Sequence, residues 1–139
     1  MTLKKNAAGN AVQAEPCQQK AVDAFNYAES KVVEAMAIAR KAVEDTGTDA
    51  ERGAVRLIDW LDDQFEQAAL RGDPAYDSLE DLSGHIASTL AIVGLVNEDK
   101  DNIIFHGVET ILTVAKNTLD TAFDAMFKER HFGAVEVTA

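Results

Sequence analysis

Eleven consecutive residues without a charge, Ile86 to Val96 (IASTLAIVGLV), constrain this chain more than any other stretch. In a helix they are apolar on more sides than one packed neighbour covers, and a helix that is apolar all round is ordinarily buried all round. A short chain has few other helices to surround it. The surplus predicts either a central helix or a surface on which a second copy docks.

The 139 residues fit one domain, and a domain near this size buries roughly 68% of the surface its unfolded chain exposes. A composition 47% apolar and 27% charged is that of a globular protein. Cys17 is the only cysteine, so no internal disulfide can form. The segment MTLKKNAAGNAVQAEP lacks the apolar block of a secretory signal. Cytoplasm is the expected compartment. No uncharged apolar run exceeds eleven residues, against the ~20 that cross a bilayer, so no membrane span is expected.

Net charge is -11, from 24 acids and 13 bases. A chain so acidic repels phosphate backbones, which argues against direct nucleic-acid binding. Seven of the acids (Asp73, Asp77, Glu80, Asp81, Glu98, Asp99, Asp101) flank the apolar run, against Lys100 alone.

Periodicity and capping signals predict helices over about 16–45, 49–71, 78–97 and 102–130, with a flexible arm over 1–15 and a loose tail over 131–139. Pro16 suits a first helical turn. In the first helix Val22, Phe25, Val32, Met36, Ala39 and Val43 form the expected stripe, with Glu29 as a polar member. Thr48 and Glu51 have capping-box spacing. The second stripe is Ala54, Leu57, Ile58, Leu61, Phe65 and Ala68, stopped by Arg71-Gly72-Asp73-Pro74. The third is Leu79, Leu82, Ile86, Leu90 and Val93. The fourth is Ile104, Val108, Ile111, Ala115, Leu119, Ala122 and Met126, widened by Phe105, Leu112 and Phe123. A lone AVEV near the end has no strand to pair with. Four amphipathic segments with short connections predict an all-α, antiparallel four-helix bundle. Its first and fourth helices should overhang the others by ~10 Å.

On a helical wheel, Gly84, Ser88, Ala91, Ile92, Leu95 and Val96 form a second face on helix three. Ser88, Ile92, Leu95 and Val96 are the expected self-association interface, since small residues permit close approach and branched ones fill the seam. Asp59, Asp62, Asp63 and Glu66 make an acidic ridge on helix two, which is either a solvated face or a dock for a basic protein. Trp60 falls on the flank of that helix, where it either closes the rim of the bundle or anchors a partner. Asp59, Trp60, Asp63 and Glu66 are the candidate partner-binding residues.

Chemistry finds little purchase. His85 and His106 lie in helices near acids, but di-iron bundles need Glu-x-x-His motifs and none occurs. No metal site is expected. Cys17 has no neighbouring histidine in sequence, and there is no Gly-x-Ser-x-Gly, phosphate loop or G-x-G-x-x-G turn. No catalytic residue or cofactor is expected, and the leading expectation is a non-enzymatic, homodimeric adaptor or regulator acting through protein contacts. A second is an inhibitor, of the kind a phage or mobile element encodes, that mimics nucleic-acid charge and blocks a basic groove. A third is a small-ligand or metal-binding bundle using the space between helices three and four.

Overall fold

The computed structural model describes residues 16–44, 47–72, 76–98 and 103–129. The arm over 1–15, residues 99–102, the AVEV segment and the tail over 131–139 lie outside them. Four helices occupy the described residues: α1 (Pro16–Val43), α2 (Asp49–Leu70), α3 (Tyr76–Val96) and α4 (Ile103–Lys128). The protein is an all-α bundle. Each helix packs against its neighbours in a ring, α1 on α2, α2 on α3, α3 on α4 and α4 on α1, while α1 and α3 meet only slightly across the middle.

Side-chain pairs fix the antiparallel sense. Phe25, early in α1, meets Phe65, late in α2, with ring centroids 5.4 Å apart. Ser83, early in α3, donates its hydroxyl to Asp120, late in α4. At the other end of that pair, the Asn97 amide just after α3 donates to the Phe105 carbonyl at 3.0 Å and to Glu109 Oε1 at 2.9 Å. Asn97 is buried. It acts as a polar clasp that holds α3 and α4 in register, because shifting either helix would strand the amide without its acceptors.

Local chemistry explains the turns. The Thr48 hydroxyl accepts from the Glu51 N–H at 3.1 Å, and Glu51 Oε1 accepts from the Thr48 N–H at 2.8 Å, completing the capping box. Just before it, Gly47 lies so close to α1 that a Cβ there would sit 2.5 Å from Val43 Cβ. Only glycine allows that approach. Gly72 ends α2 with φ of 105°, the left-handed conformation that suits a residue with no Cβ.

α1 differs from its expected stripe. Its buried line is Ala21, Ala24, Phe25, Ala28, Val32, Ala35 and Ala39, while Val22, Met36 and Val43 are half-buried. Glu29 is half-buried too, at the edge of the line. Weighting residues by apolar bulk turned the stripe toward α2, whereas the helix is centred on alanines spaced by seven (Ala21, Ala28, Ala35). α1 packs most extensively on α4, and small residues let two helix axes close toward the lower end of the ~8–10 Å range. In α4 the core passes through Phe105, Val108, Leu112, Ala115, Leu119 and Ala122, leaving Ile104 exposed and Ile111 half-buried. The α2 stripe is buried as expected apart from the half-buried Leu57.

Close packing at the alanines makes the seam intolerant of bulk. Ala28→Leu should destabilise the fold by about 1–3 kcal/mol, read as a lower urea midpoint at unchanged slope. An unchanged or higher midpoint would refute the tight seam.

Candidate functional site

The four expected partner-binding residues do not form one patch. Asp59 lies on the α1 flank of α2, where its carboxylate accepts from Arg40 at 2.8 Å. Trp60 lies on the opposite flank and meets His85 of α3 edge-on, with ring centroids 4.9 Å apart. Asp63 and Glu66 go with the acids: oxygens of Asp62, Asp63 and Glu66 all lie within 4.8 Å of one another. The reason is helical spacing, which sends adjacent residues about 100° apart around the axis.

Carboxylates crowd one another along the acidic flank. Burial, with added repulsion from Asp62 and Glu66, holds the Glu29 carboxyl of α1 above its ordinary pKa. Burial, then Asp63 and Asp59, likewise raise Asp62, against the opposing pull of Arg40. Three carboxylates so close are within reach of one hard cation. Asp63 and Glu66 are nevertheless exposed, and an acidic helix turn brings oxygens this near without an ion.

The expected self-association residues divide three to one. Ser88, Ile92 and Leu95 are on the surface, Ile92 being 36% and Leu95 62% exposed. Val96, at 7%, is buried in the chain's own core and leaves the set. It lies further round toward the core than the wheel implied, at the α2 side of α3. Gly84, Ala87 and Ala91 are exposed on the same outer side, and a Cβ at Gly84 would meet no atom within 4 Å. The Ser88 hydroxyl donates back to the Gly84 carbonyl at 3.2 Å, so it makes no demand on a partner. From Leu82 to Asn97 this face offers no carboxylate and no amine. By length and composition Ser78–Val96 also meets the measure of a membrane-crossing helix, although Leu79, Leu82, Ile86 and Val93 pack into the bundle.

Between α3 and α4 the polar groups are engaged with each other. Asp120 takes the Ser83 hydroxyl on one oxygen and the Lys116 ammonium, at 2.7 Å, on the other. Glu109 receives Asn97 and lies 4.0 Å from His106 Nδ1. His85 meets Trp60 edge-on at the α2 side, whereas His106 is exposed and lies beside Glu109 of its own helix. Sequence spacing gives no sign of the Ser83–Asp120 and Asn97–Glu109 bonds, because each joins residues that are not neighbours on one helix. A shallow groove of about 530 Å³ runs beside α1 and α4, lined by Lys20, Ala24, Val114, Thr118, Thr121 and Ala125 among others. No protein-family model, curated protein or solved structure matches the chain.

The raised carboxyls predict a pH dependence. A group that holds its proton more tightly when folded penalises the folded state while ionised. That penalty is complete above the raised folded values and gone below the ordinary carboxylate range near pH ~4. Replacing Glu29 and Asp62 by Gln and Asn should therefore raise the urea midpoint at neutral pH, with the gain shrinking on acidification. A double variant less stable than the wild type at neutrality would refute the repulsive flank.

Proposed function

We propose that this chain is a non-enzymatic adaptor or regulator that works by docking another protein on the outer face of α3. The carrying observation is the exposure of Ile92 and Leu95 within a stretch free of charge. Removing such side chains from water is favourable by roughly 25 cal/mol per Å² of apolar surface, and no ionised group has to be desolvated with them. Exposed apolar groups scattered singly carry no such meaning. Here they adjoin small residues that let a partner helix approach.

A second reading rests on a different observation. Glu29, Asp59, Asp62, Asp63 and Glu66 set five carboxylates along the α1–α2 flank, with Arg40 bonded to only one of them. Such a flank supports a decoy for a basic groove that ordinarily holds nucleic acid. The two readings differ in salt dependence. Charge-led docking weakens steeply as salt rises, whereas apolar docking does not.

The test is capture from the native cell with tagged wild type and with Leu95→Glu. Surface substitutions usually change stability by about 0.5 kcal/mol or less, and the melting temperature of Leu95→Glu checks that folding is preserved. The specifically retained protein should fall at least tenfold with Leu95→Glu and persist with Asp63→Lys. Retention that follows Asp63 and ignores Leu95 would overturn the apolar reading in favour of the acidic one.

A further inference from the structure

We propose that the groove between α1 and α4 is filled by the chain's own AVEV segment, 134–137, lying extended with Val135 and Val137 turned in and Glu136 turned to Lys20. The inference is independent of docking on α3. It rests on the groove's lining, on reach and on charge.

Ala24, Ala122 and Ala125 line the groove with Val114 at its far end, and none of its lining residues is acidic. Val114 is 38% exposed, although it lies in mid-helix with uncharged residues one turn either side. In AVEV the two valines stand two residues apart, so an extended backbone puts both on one side and Glu136 on the other. Such a segment has no strand to join. In the groove it needs none, because Asn117, Thr118 and Thr121 offer amide and hydroxyl groups to a backbone that must bond something.

The reach is sufficient. Ten residues follow Glu129. With about four used to reverse direction, the other six span roughly 20 Å when extended, and Val114 lies about 21 Å from Lys128 along α4. If Ala134 is level with Ala125, Val137 arrives level with Thr118, since about 10 Å separates each pair.

Charge selects this tail over the other end of the chain. Lys20 is exposed, is the one charged residue lining the groove, and takes part in no ion pair among the described residues. The nearest acids are turned aside. Asp23 accepts from Gln19 at 3.0 Å, and Asp124 shares a strip of α4 with Asp120, which bonds Ser83 of α3. Glu136 is the only charged residue after His131. The arm over 1–15 instead brings Lys4 and Lys5 to a lysine, and its branched apolar residues, Leu3 and Val12, are nine apart and cannot fill one groove together.

Disulfide capture in the full chain tests the placement. In a Cys17→Ser background, Thr118→Cys with Val137→Cys should close an intramolecular disulfide at least tenfold faster than Asp124→Cys with Val137→Cys. Asp124 is the closer of the two to the end of α4 along the axis, so a tail that merely wanders would reach it at least as readily. Melting temperatures of the reduced variants check that each is folded. Glu136→Lys should slow the Thr118–Val137 closure about threefold at low salt, and adding Lys20→Glu should restore it.

Equal or faster closure at Asp124 would overturn the inference. So would a disulfide formed only between chains, which would make a second copy the occupant. Closure of Thr118→Cys with Val12→Cys at the rate seen for Val137→Cys would put the arm in the groove and overturn it too. A charge swap without effect would remove the pairing of Glu136 with Lys20, and with it the placement proposed.

Discussion

Everything else in the bundle is arranged around the close approach of α1 and α4. These are the outermost helices in sequence, so their contact closes the longest loop and carries the largest chain-entropy cost. Alanines make it worthwhile. With Ala21, Ala28 and Ala35 buried at seven-residue spacing on one helix and Ala115 and Ala122 buried on the other, dispersion contacts run along the seam without large side chains holding the axes apart. An alanine gives up no rotamer freedom on burial. The gain per residue is small and nothing is lost to ordering. With α1 and α4 joined, α2 and α3 complete the ring, and α3 barely reaches α1 across the centre. It is therefore covered on the sides turned to α2, α4 and the core, and uncovered on its outer face.

Much of this was legible in the sequence, and the exceptions have a common cause. Thr48 with Glu51 and Arg71 with Gly72 mark the ends of α2 because capping is local: donor and acceptor lie within three or four residues. The stripes of α2 and α3 could be read because Ile58, Leu61, Phe65, Leu82, Ile86 and Val93 are both bulky and buried. α1 misled because its most apolar residues and its most buried residues differ. Val22 and Met36 outweigh Ala28 on any scale of transfer free energy, yet burial there is decided by how closely α4 can come. Val96 was misplaced for a related reason: a wheel assigns angles but not the positions of neighbouring helices. Asn97, Ser83 and Asp120 could not be read at all. A polar residue that pairs across helices leaves no period along one of them.

The same limit governed the candidate site. Asp59 and Trp60 are adjacent in sequence and were grouped as one surface, but one turns to Arg40 and the other to His85. Their separation matters more than their kinship. It divides α2 into an acidic flank, where burial and repulsion raise Glu29 and Asp62, and an aromatic flank that borders α3. Had the acids been spread evenly, no face of a chain this negative could approach another acidic protein without opposing like charges. Keeping the repulsion between α1 and α2 costs some stability there, and on the α3 side the acids Glu80, Asp81 and Glu98 are confined to the two ends of the helix.

Exposure alone would not single out α3. Leu70 and Ile103 are more exposed than Leu95, and all three sit at helix ends, where the outward turn of the chain uncovers side chains regardless of purpose. Tyr27, Val33 and Val114 are exposed in mid-helix, and Val114, like Ile92, has uncharged residues one turn either side. Tyr27 has Lys31 over its ring, and Val33 lies between the paired Lys31 and Glu34, so a partner covering them would have to strip water from ionised groups. Ile92 carries no such penalty, and Leu95 has the carboxylate of Glu98 at one end only. Their neighbours are glycine, alanine, a serine whose hydroxyl is already bonded to its own helix, and a fully buried threonine whose hydroxyl bonds the His85 carbonyl. Both hydroxyls beside them are satisfied before anything arrives, and a surface that can lose its water without losing a hydrogen bond is one on which burial alone can drive association.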